Sequence, residues 1–511
     1  MTTRDAASRL DGLTSWHADW TGLRVAVLGL GVTGFSVADT LAELGAEVTV
    51  FASAADEERA RILDVIGVDL VRHPLDRVPD ELEALDPELV VVSPGFHPDH
   101  PVLEWAAGRG IEVWGDIELA WRVRDKVRAA EWILVTGTNG KTTTVQLTAS
   151  FLVAAGLAAA PAGNIGIPVL DAVRDPAGFD VLVVELSSYQ LHWIRREGPG
   201  RIEPLASTCL NIADDHLDWH GSAEAYREAK STVYWNAKLA CVYNRDDAAT
   251  EQMVRDAEVA EGARAIGFGL GVPGPSDFGV VEGILCDRAF LEERATAALE
   301  ITTRERLAER GLDAPHVVAN VLAASALARA ASAPIEAIRS ALDGFRLDAH
   351  RIETVAIAGG VRWIDDSKAT NPHAADASLT AYGPVVWIVG GLLKGVDVDE
   401  LVARHAERLR AAVVIGVDRE PLLAAFRRHA PALPVVEVVA GETDAVMPEA
   451  VALAASLAHE GDTVLLAPAA ASMDQFSDYA DRGRRFHAAV GEYVEGGAGD
   501  GLDADERGSR D

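Results

Sequence analysis

Lysine, cysteine and long apolar runs are all scarce in this chain of 511 residues. Of its 46 basic residues, only Lys126, Lys141, Lys230, Lys238, Lys368 and Lys394 are lysines. Codon bias alone produces such an imbalance. But where Arg stands almost everywhere, a retained Lys draws notice as a compact, deprotonatable amine that a guanidinium cannot imitate. The three cysteines, Cys209, Cys241 and Cys286, lie far apart and form no C-x-x-C pair. Neither a disulfide framework nor a cysteine-based zinc site is implied. The longest apolar run, residues 151–160, falls short of the ~20 residues a bilayer span needs. It is expected to prolong a buried helix that begins at Lys141. The polar start MTTRDAASRLDGL has no secretory pattern, so a soluble cytoplasmic protein is expected. Positive charge is short as well: 46 Lys plus Arg against 79 Asp plus Glu leave a net charge of −33. That argues against nucleic-acid or anionic-membrane partners, which select basic faces. An anionic substrate would need local cations or a metal.

What is present is an alternation of apolar strands and helices, the pattern of α/β domains with mostly parallel sheets. The length suits roughly three or four domains. The first region, residues 1–115, opens with the strand LRVAVLG, a glycine turn and a helix over about 33–44. Further strands are expected at 48–51, 89–92 and 111–114. The second region, 116–347, has expected strands at 132–136, 181–185, 204–211 and 237–244. Turn-rich short strands follow over 267–287, then a helix over about 315–331. Residues 344–351 read as a linker. The third region, 348–495, starts with a hairpin at Gly359-Gly360 and continues with strands at 385–389, 413–415, 435–438 and 463–466. The tail 496–511, rich in Gly, Asp and Arg, reads as disordered.

Two glycine turns carry chemistry. Gly29-Leu30-Gly31-Val32-Thr33-Gly34 matches G-x-G-x-x-G between a strand and a helix, where amides can hold a pyrophosphate. The second strand ends at Ala52 with no acid for a ribose, which disfavours NAD. The bland reading is a tight turn that glycine merely packs. Ser93-Pro94-Gly95 ends another strand of that sheet, facing the same crevice. The second turn, VTGTNGKTTT at residues 135–144, resembles a phosphate loop whose first glycine is displaced to Gly137. Lys141 would reach the β- and γ-phosphates and Thr142 a Mg²⁺ ion. An apolar strand ending in Glu185 offers a further metal ligand. The stretch NIADDHLDWH at residues 211–220 is another strand end rich in ligand types. Singly, each such residue is more often just solvated.

The ordered set GTNGKT (137–142), AGNIG (162–166), ELSSYQL (185–191), NIADDHLDWHG (211–221) and YREAK (226–230) resembles the Mur ligases. These are the ATP-dependent amide-forming enzymes of peptidoglycan synthesis. WIDDSKATN (363–371), VGGLLKG (389–395) and APAAASMDQF (467–476) resemble the branch that adds D-glutamate to UDP-N-acetylmuramoyl-L-alanine. The resemblance covers nearly the whole chain. It implies an α/β fold of three domains: Rossmann-like at the N-terminus, P-loop ATPase-like in the centre, and Rossmann-like at the C-terminus. It also implies an acyl-phosphate intermediate, attacked by the incoming amine, in a monomer.

By the same resemblance, Gly137, Thr138, Asn139, Gly140, Lys141, Thr142 and Thr143 hold the ATP phosphates. Asn320 lies near adenine, and Arg351 and Asp366 reach ATP from the third domain, which domain closure would complete. Thr142 and Glu185 hold one Mg²⁺. His216 and Lys230, the latter as an N-carboxylated lysine, hold a second. Asn164 lies near the acyl phosphate. The D-glutamate pocket falls on Lys368, Thr370, Lys394, Ser472 and Tyr479, and the uridine nucleotide on Val32, Thr33 and Ser93. Taken alone, Thr370 and Ser472 read as helix caps. Two departures stand out: Val317 where relatives often carry Asn, and Ala52 where they often carry an acid. The competing readings are a ligase of the same superfamily with another amino acid, a NAD-dependent oxidoreductase, and a catalytically dead scaffold.

Overall fold

The computed structural model describes residues 9–500, without the side chains of 496–500. Its described residues form three sheets. The first contains β1 (Arg24–Leu28), β2 (Glu47–Ala52), β3 (Asp69–Arg72), β4 (Leu89–Val92) and β5 (Glu112–Gly115), in the order β3-β2-β1-β4-β5. Every pairing is parallel. The unexpected member is β3. Its polar sequence DLVR leaves it half exposed at the sheet edge, and no apolar run announces it.

The second sheet contains β6 (Glu131–Thr136), β7 (Ala159–Gly163), β8 (Val181–Glu185), β9 (Ala206–Cys209), β10 (Ala240–Asn244), β11 (Arg264–Phe268), β12 (Asp277–Val281), β13 (Ile284–Asp287) and β14 (Leu299–Thr303). Their order is β14-β13-β12-β11-β10-β9-β6-β8-β7, antiparallel only in the β12–β13–β14 meander. β7 corrects an expectation: the apolar run 151–160 is not one helix. The Lys141–Ala154 helix stops at a glycine, Gly156 (φ +89°). There Gly156 N–H donates to Val153 O (2.9 Å) and Leu157 N–H to Leu152 O (3.1 Å). That pair of bonds satisfies the last carbonyls, and the left-handed residue turns the chain out of the helix.

The third sheet contains β15 (Glu353–Ala358), β16 (Val361–Asp365), β17 (Val385–Gly390), β18 (Leu409–Ile415), β19 (Val435–Glu437) and β20 (Thr463–Leu466). The order is β15-β16-β20-β17-β18-β19, with the expected hairpin as its antiparallel edge. The final helix, Tyr479–Asp500, continues past the expected tail boundary at 495. The rest of that tail lies outside the described residues, as do the first eight residues of the polar N-terminal stretch.

The chain divides into two compact units. One comprises residues up to Ile212, Trp219–Asp313 and Val317–Phe345; Ala213–Asp218, Ala314–His316 and the chain from Arg346 onward group in the other. The first two sheets therefore fall in one unit, because they share a continuous core that includes Trp114, Trp121, Trp132 and Leu182. The Asp116–Arg122 helix lies between them with every residue buried. Arg122 pairs with Glu118 (2.8 Å) and donates to the carbonyls of Leu10, Leu13 and Pro199. Losing one partner of such a pair typically costs about 3–5 kcal/mol, since the other charge stays buried and unpaired. Residues 9–22 are thus part of the core through Leu10, Leu13 and Trp20. Among the described residues no helix is long and apolar enough to cross a membrane.

Candidate active site

β6 runs into the 137–140 loop, and sheet register sets its surroundings. Val135 pairs with Glu185 of β8, and Thr136 with Cys209 of β9. All three strands are parallel, so Glu185 and Asn211 stand at the same C-terminal sheet edge as the loop, where α/β sheets bind ligands. The loop turns through Gly137 (φ +148°) and Gly140 (φ +84°) into the Lys141–Ala154 helix, which no side chain caps. Its amide end suits an anion. A Cβ on Gly140 would lie 2.5 Å from Asn320 Oδ1. Contact with buried Asn320, on the Pro315–Ala330 helix, therefore depends on glycine.

Asn211 secures the loop. It accepts from Asn139 N–H through Oδ1 (2.8 Å), donates to Asn139 O through Nδ2 (3.1 Å), and accepts from Thr138 N–H through its own carbonyl (2.9 Å). Lys141 Nζ donates to the carbonyls of Gly137 (2.8 Å) and Thr138 (2.9 Å). Lys230, buried on the Ala223–Ser231 helix, donates to Gly137 O (2.9 Å) and Thr136 Oγ1 (3.2 Å). Tyr226 stands one turn earlier on that helix. Its ring centroid is 5.0 Å from Lys230 Nζ, and its hydroxyl is 2.9 Å from Thr138 Oγ1. Thr142 and Thr143 are buried at the start of the loop helix.

Glu185 is buried, and its two carboxylate oxygens differ. Oε1 accepts from Asn164 Nδ2 (3.2 Å), whereas Oε2 is buried with no hydrogen-bond partner. An unsatisfied buried carboxylate oxygen is costly, and a hard cation would satisfy it. The residues at this edge thus fit Mg²⁺. His216 (φ +53°) belongs to the Ala213–Asp218 segment, which groups with the second unit. There Asp215 accepts from His216 N–H (2.9 Å), and its other oxygen lies 3.6 Å from His216 Nε2.

At the first glycine turn, Gly29 has φ +93° and a Cβ there would lie 2.8 Å from Ser93 Oγ. Ser93 Oγ is buried without a partner beneath the turn. Val32 is exposed and, with Thr33, starts the Val32–Glu43 helix, which has no side-chain cap. Ala52, standing where relatives often carry an acid, is buried.

In the second unit, Asp366 is buried, accepts from Ser378 Oγ and Ile352 N–H, and is pushed up to about 6 by burial. The Ser378 bond and the nearby Arg351 charge oppose that shift. Lys368 Nζ lies 3.7 Å from the Tyr479 ring centroid. A bridge between Leu392 and Ala471 ties the Lys394 loop to the Ser472 loop. Thr370 is not the helix cap that its type suggested. Asn371 Oδ1 caps the Pro372–Ala381 helix by accepting from Ala374 N–H (2.9 Å).

One unit thus brings together residues 137–143, Asn164, Glu185, Lys230 and Asn320, and separately Val32, Thr33 and Ser93. The other holds His216, Arg351, Asp366, Lys368, Thr370, Lys394, Ser472 and Tyr479. Sequence reasoning missed Tyr226 and the loop-pinning role of Asn211. Tyr226 was legible: it stands four residues before Lys230, the spacing that puts two side chains on one helix face.

Family models match over residues 23–115 (Mur ligase MurD-like, N-terminal domain), 135–328 (Mur ligase middle domain) and 350–470 (Mur ligase, glutamate ligase domain). The chain belongs to the Mur ligase family. It is 68% identical to a UDP-N-acetylmuramoylalanine–D-glutamate ligase of Leifsonia xyli subsp. xyli, over 98% of each chain. It is 53% identical to one of Streptomyces avermitilis, over 92% of this chain and 98% of that one. Among solved structures, the fold is like a pseudomurein peptide ligase type C from Methanothermus fervidus (TM-score 0.54, 19% identity, 91% and 99% covered). It is also like the UDP-N-acetylmuramate-alanine ligase of Thermotoga maritima (TM-score 0.52, 20% identity, 93% and 99% covered).

Proposed function

We propose that this ligase joins D-glutamate to UDP-N-acetylmuramoyl-L-alanine, with ATP converted to ADP and phosphate. The observation that carries the chemistry is the cradle at Gly137, where an uncapped helix start, two lysine amines and a buried carboxylate meet. The substrate assignment is supported by the identities to D-glutamate ligases.

In this mechanism the substrate carboxylate attacks the γ-phosphorus of ATP and ADP leaves. The acyl phosphate is then attacked by the amine of D-glutamate, which loses a proton, and phosphate departs. The amides of 137–140 and the Lys141 ammonium, with Thr143 beside them, would offset charge on the transferring phosphoryl group, the usual largest contribution in such reactions. Thr142 Oγ1 and Glu185 Oε2 are the residues suited to hold Mg²⁺, with His216 and Lys230 assigned to a second ion. Mg²⁺, when bound, would supply neutralisation of phosphate charge. Lys230 would ligate as a carbamate, formed when its neutral amine adds CO₂ and releases a proton; Arg, always protonated, could not do this. Asn164 orients Glu185 and is assigned to the acyl phosphate. Asn320 is assigned to the nucleotide near Gly140, and Arg351 and Asp366 to ATP.

Lys368, Thr370, Lys394, Ser472 and Tyr479 are assigned to D-glutamate, since two cations and hydroxyls suit a dicarboxylate. Val32, Thr33 and Ser93 are assigned to the uridine nucleotide. Domain boundaries at 115/116 and 347/348, a monomeric state and a cytoplasmic location complete the proposal.

The test is ADP release with UDP-N-acetylmuramoyl-L-alanine across amino acids. Release should require D-glutamate and drop about 10²-fold or more in Lys141→Ala. Equal release with L-glutamate or meso-diaminopimelate would refute the assigned substrate. An undiminished Lys141→Ala rate would refute the assigned site.

A further inference from the structure

A second constellation of metal-ligand side chains stands in the C-terminal unit. His350, Glu353, Asp365 and His487 each offer one ligand atom, and these atoms all lie within 4.8 Å of one another. They come from three places in the chain: the turn before β15 and its first residue, the end of β16, and the final helix. Asp365 is fully buried and is the hub. Its Oδ2 lies 2.6 Å from His350 Nδ1 and 3.0 Å from His487 Nε2. Despite that distance, His487 Nε2 makes no hydrogen bond of acceptable geometry and is buried. The nitrogen thus faces the other three ligand atoms. Glu353 Oε2 lies 3.6 Å from the same nitrogen.

Three further features favour a built site. Asp365 Oδ1 accepts from Ser367 N–H (2.8 Å), the kind of outer bond that orients a ligating carboxylate. His350 adopts φ +65°, a conformation disfavoured for a non-glycine residue, and its imidazole meets Asp365 there. At Gly483, a Cβ would lie 2.2 Å from His350 Nδ1 and 2.8 Å from Asp365 Oδ2. Glycine at that point of the final helix keeps the space between the ligand atoms open. Glu353 and His487 are only half-buried, which leaves an entry path.

We propose that His350, Glu353, Asp365 and His487 form a binding site for one divalent transition-metal ion, best matched by Zn²⁺. Two imidazole nitrogens and two carboxylate oxygens are a borderline donor set that suits Zn²⁺, whereas Mg²⁺ prefers oxygen alone. The ion takes the place of the proton shared by His350 Nδ1 and Asp365 Oδ2, and that proton leaves to solvent. By joining the edge hairpin to the final helix, it acts as a clamp within the C-terminal unit. The site is independent of the Mg²⁺ proposed beside Glu185.

The experiment uses the full chain, stripped with a chelator and free of nucleotide, titrated with Co²⁺ and then Zn²⁺. One Co²⁺ per chain should give the visible absorption of a four-coordinate ion. Zn²⁺ should displace it and raise Tm by about 5 °C at saturation. His487→Gln and Glu353→Gln should each weaken binding about tenfold or more. Both residues are half-buried, and the near-ultraviolet circular dichroism of each variant confirms its fold. His216→Ala should leave the Co²⁺ band intact. Absence of the band, an unchanged affinity in a folded His487→Gln or Glu353→Gln protein, or loss of the band in His216→Ala would each overturn the proposal.

Discussion

Lys230 and Lys141 share one acceptor: the carbonyl oxygen of Gly137 receives hydrogen bonds from both amines, at 2.9 and 2.8 Å. Two lysine amines drawn to one carbonyl repel each other when both are protonated. An arriving polyphosphate relieves that repulsion, and so does conversion of one amine to an anion.

Lys230→Ala should therefore lower ADP release about 10²-fold or more. Short carboxylates should restore part of it if the missing group is a carbamate. The direct measurement is carbon NMR of protein equilibrated with ¹³C-bicarbonate. A carbamate signal is expected in the parent protein and should vanish in Lys230→Ala. Its absence from the parent would remove the carbamate from the mechanism.

Gly140→Ala is expected to damage the loop in two ways. The residue sits at φ +84°, and the new Cβ would meet Asn320 Oδ1 at 2.5 Å. A stability loss of about 1–2 kcal/mol is expected from the backbone conformation alone. The KM for ATP should rise, because the displaced amides are those proposed to hold the phosphates. Denaturant midpoints and steady-state kinetics read both; an unchanged KM would mean that these amides do not hold the nucleotide.

Asp116 gives a pH dependence of calculable sign. Burial pushes its carboxyl up to about 6, against the bond from Gln190 Nε2 and backbone amides. Below about pH 4 the group is protonated in folded and unfolded chains alike, so it costs nothing. As pH rises towards 6, the unfolded chain releases the proton while the folded one keeps it, and stability falls. Above 6 a cost of about 3 kcal/mol persists. Asp116→Asn should match the parent near pH 4 and exceed it at pH 7. Parallel stability–pH curves for the two proteins would contradict this.

The cysteines should be inert in the folded chain. All three are free and buried. Burial pushes the thiols of Cys209 and Cys241 up to about 12 and raises that of Cys286. The reactive thiolate is therefore scarce at neutral pH. A thiol reagent such as dithionitrobenzoate should label none of them until the chain unfolds, and all three afterwards. Rapid labelling of the native protein would show an opening around β9, β10 or β13.

Several features are legible in the sequence because their causes are local. The glycines of 137–140 and 29–34 announce strand–turn–helix units, and Gly359-Gly360 announces a hairpin. β8 and β20 follow from short apolar runs. Where a feature depends on partners distant in sequence, local reading failed. β3 and β7 are short and ordinary, and only pairing makes them strands. Leu10, Leu13 and Trp20 become core because Arg122 and Trp114 await them. His350 looked like part of a linker, yet it is held by Asp365 and faces His487, contacts that no periodicity encodes.

The sequence by itself determined the class of fold, the family and the residue types available for phosphate and amide chemistry. Those rest on backbone preferences, hydrophobic period and ordered motifs. Tertiary structure alone decided that Glu185 lies level with Val135 and that Lys230 reaches a carbonyl 93 residues away. Sheet order runs β9-β6-β8, out of chain sequence. Which strand ends become neighbours is thus set by long-range pairing and core packing, and the groups proposed for catalysis are brought together only when those form.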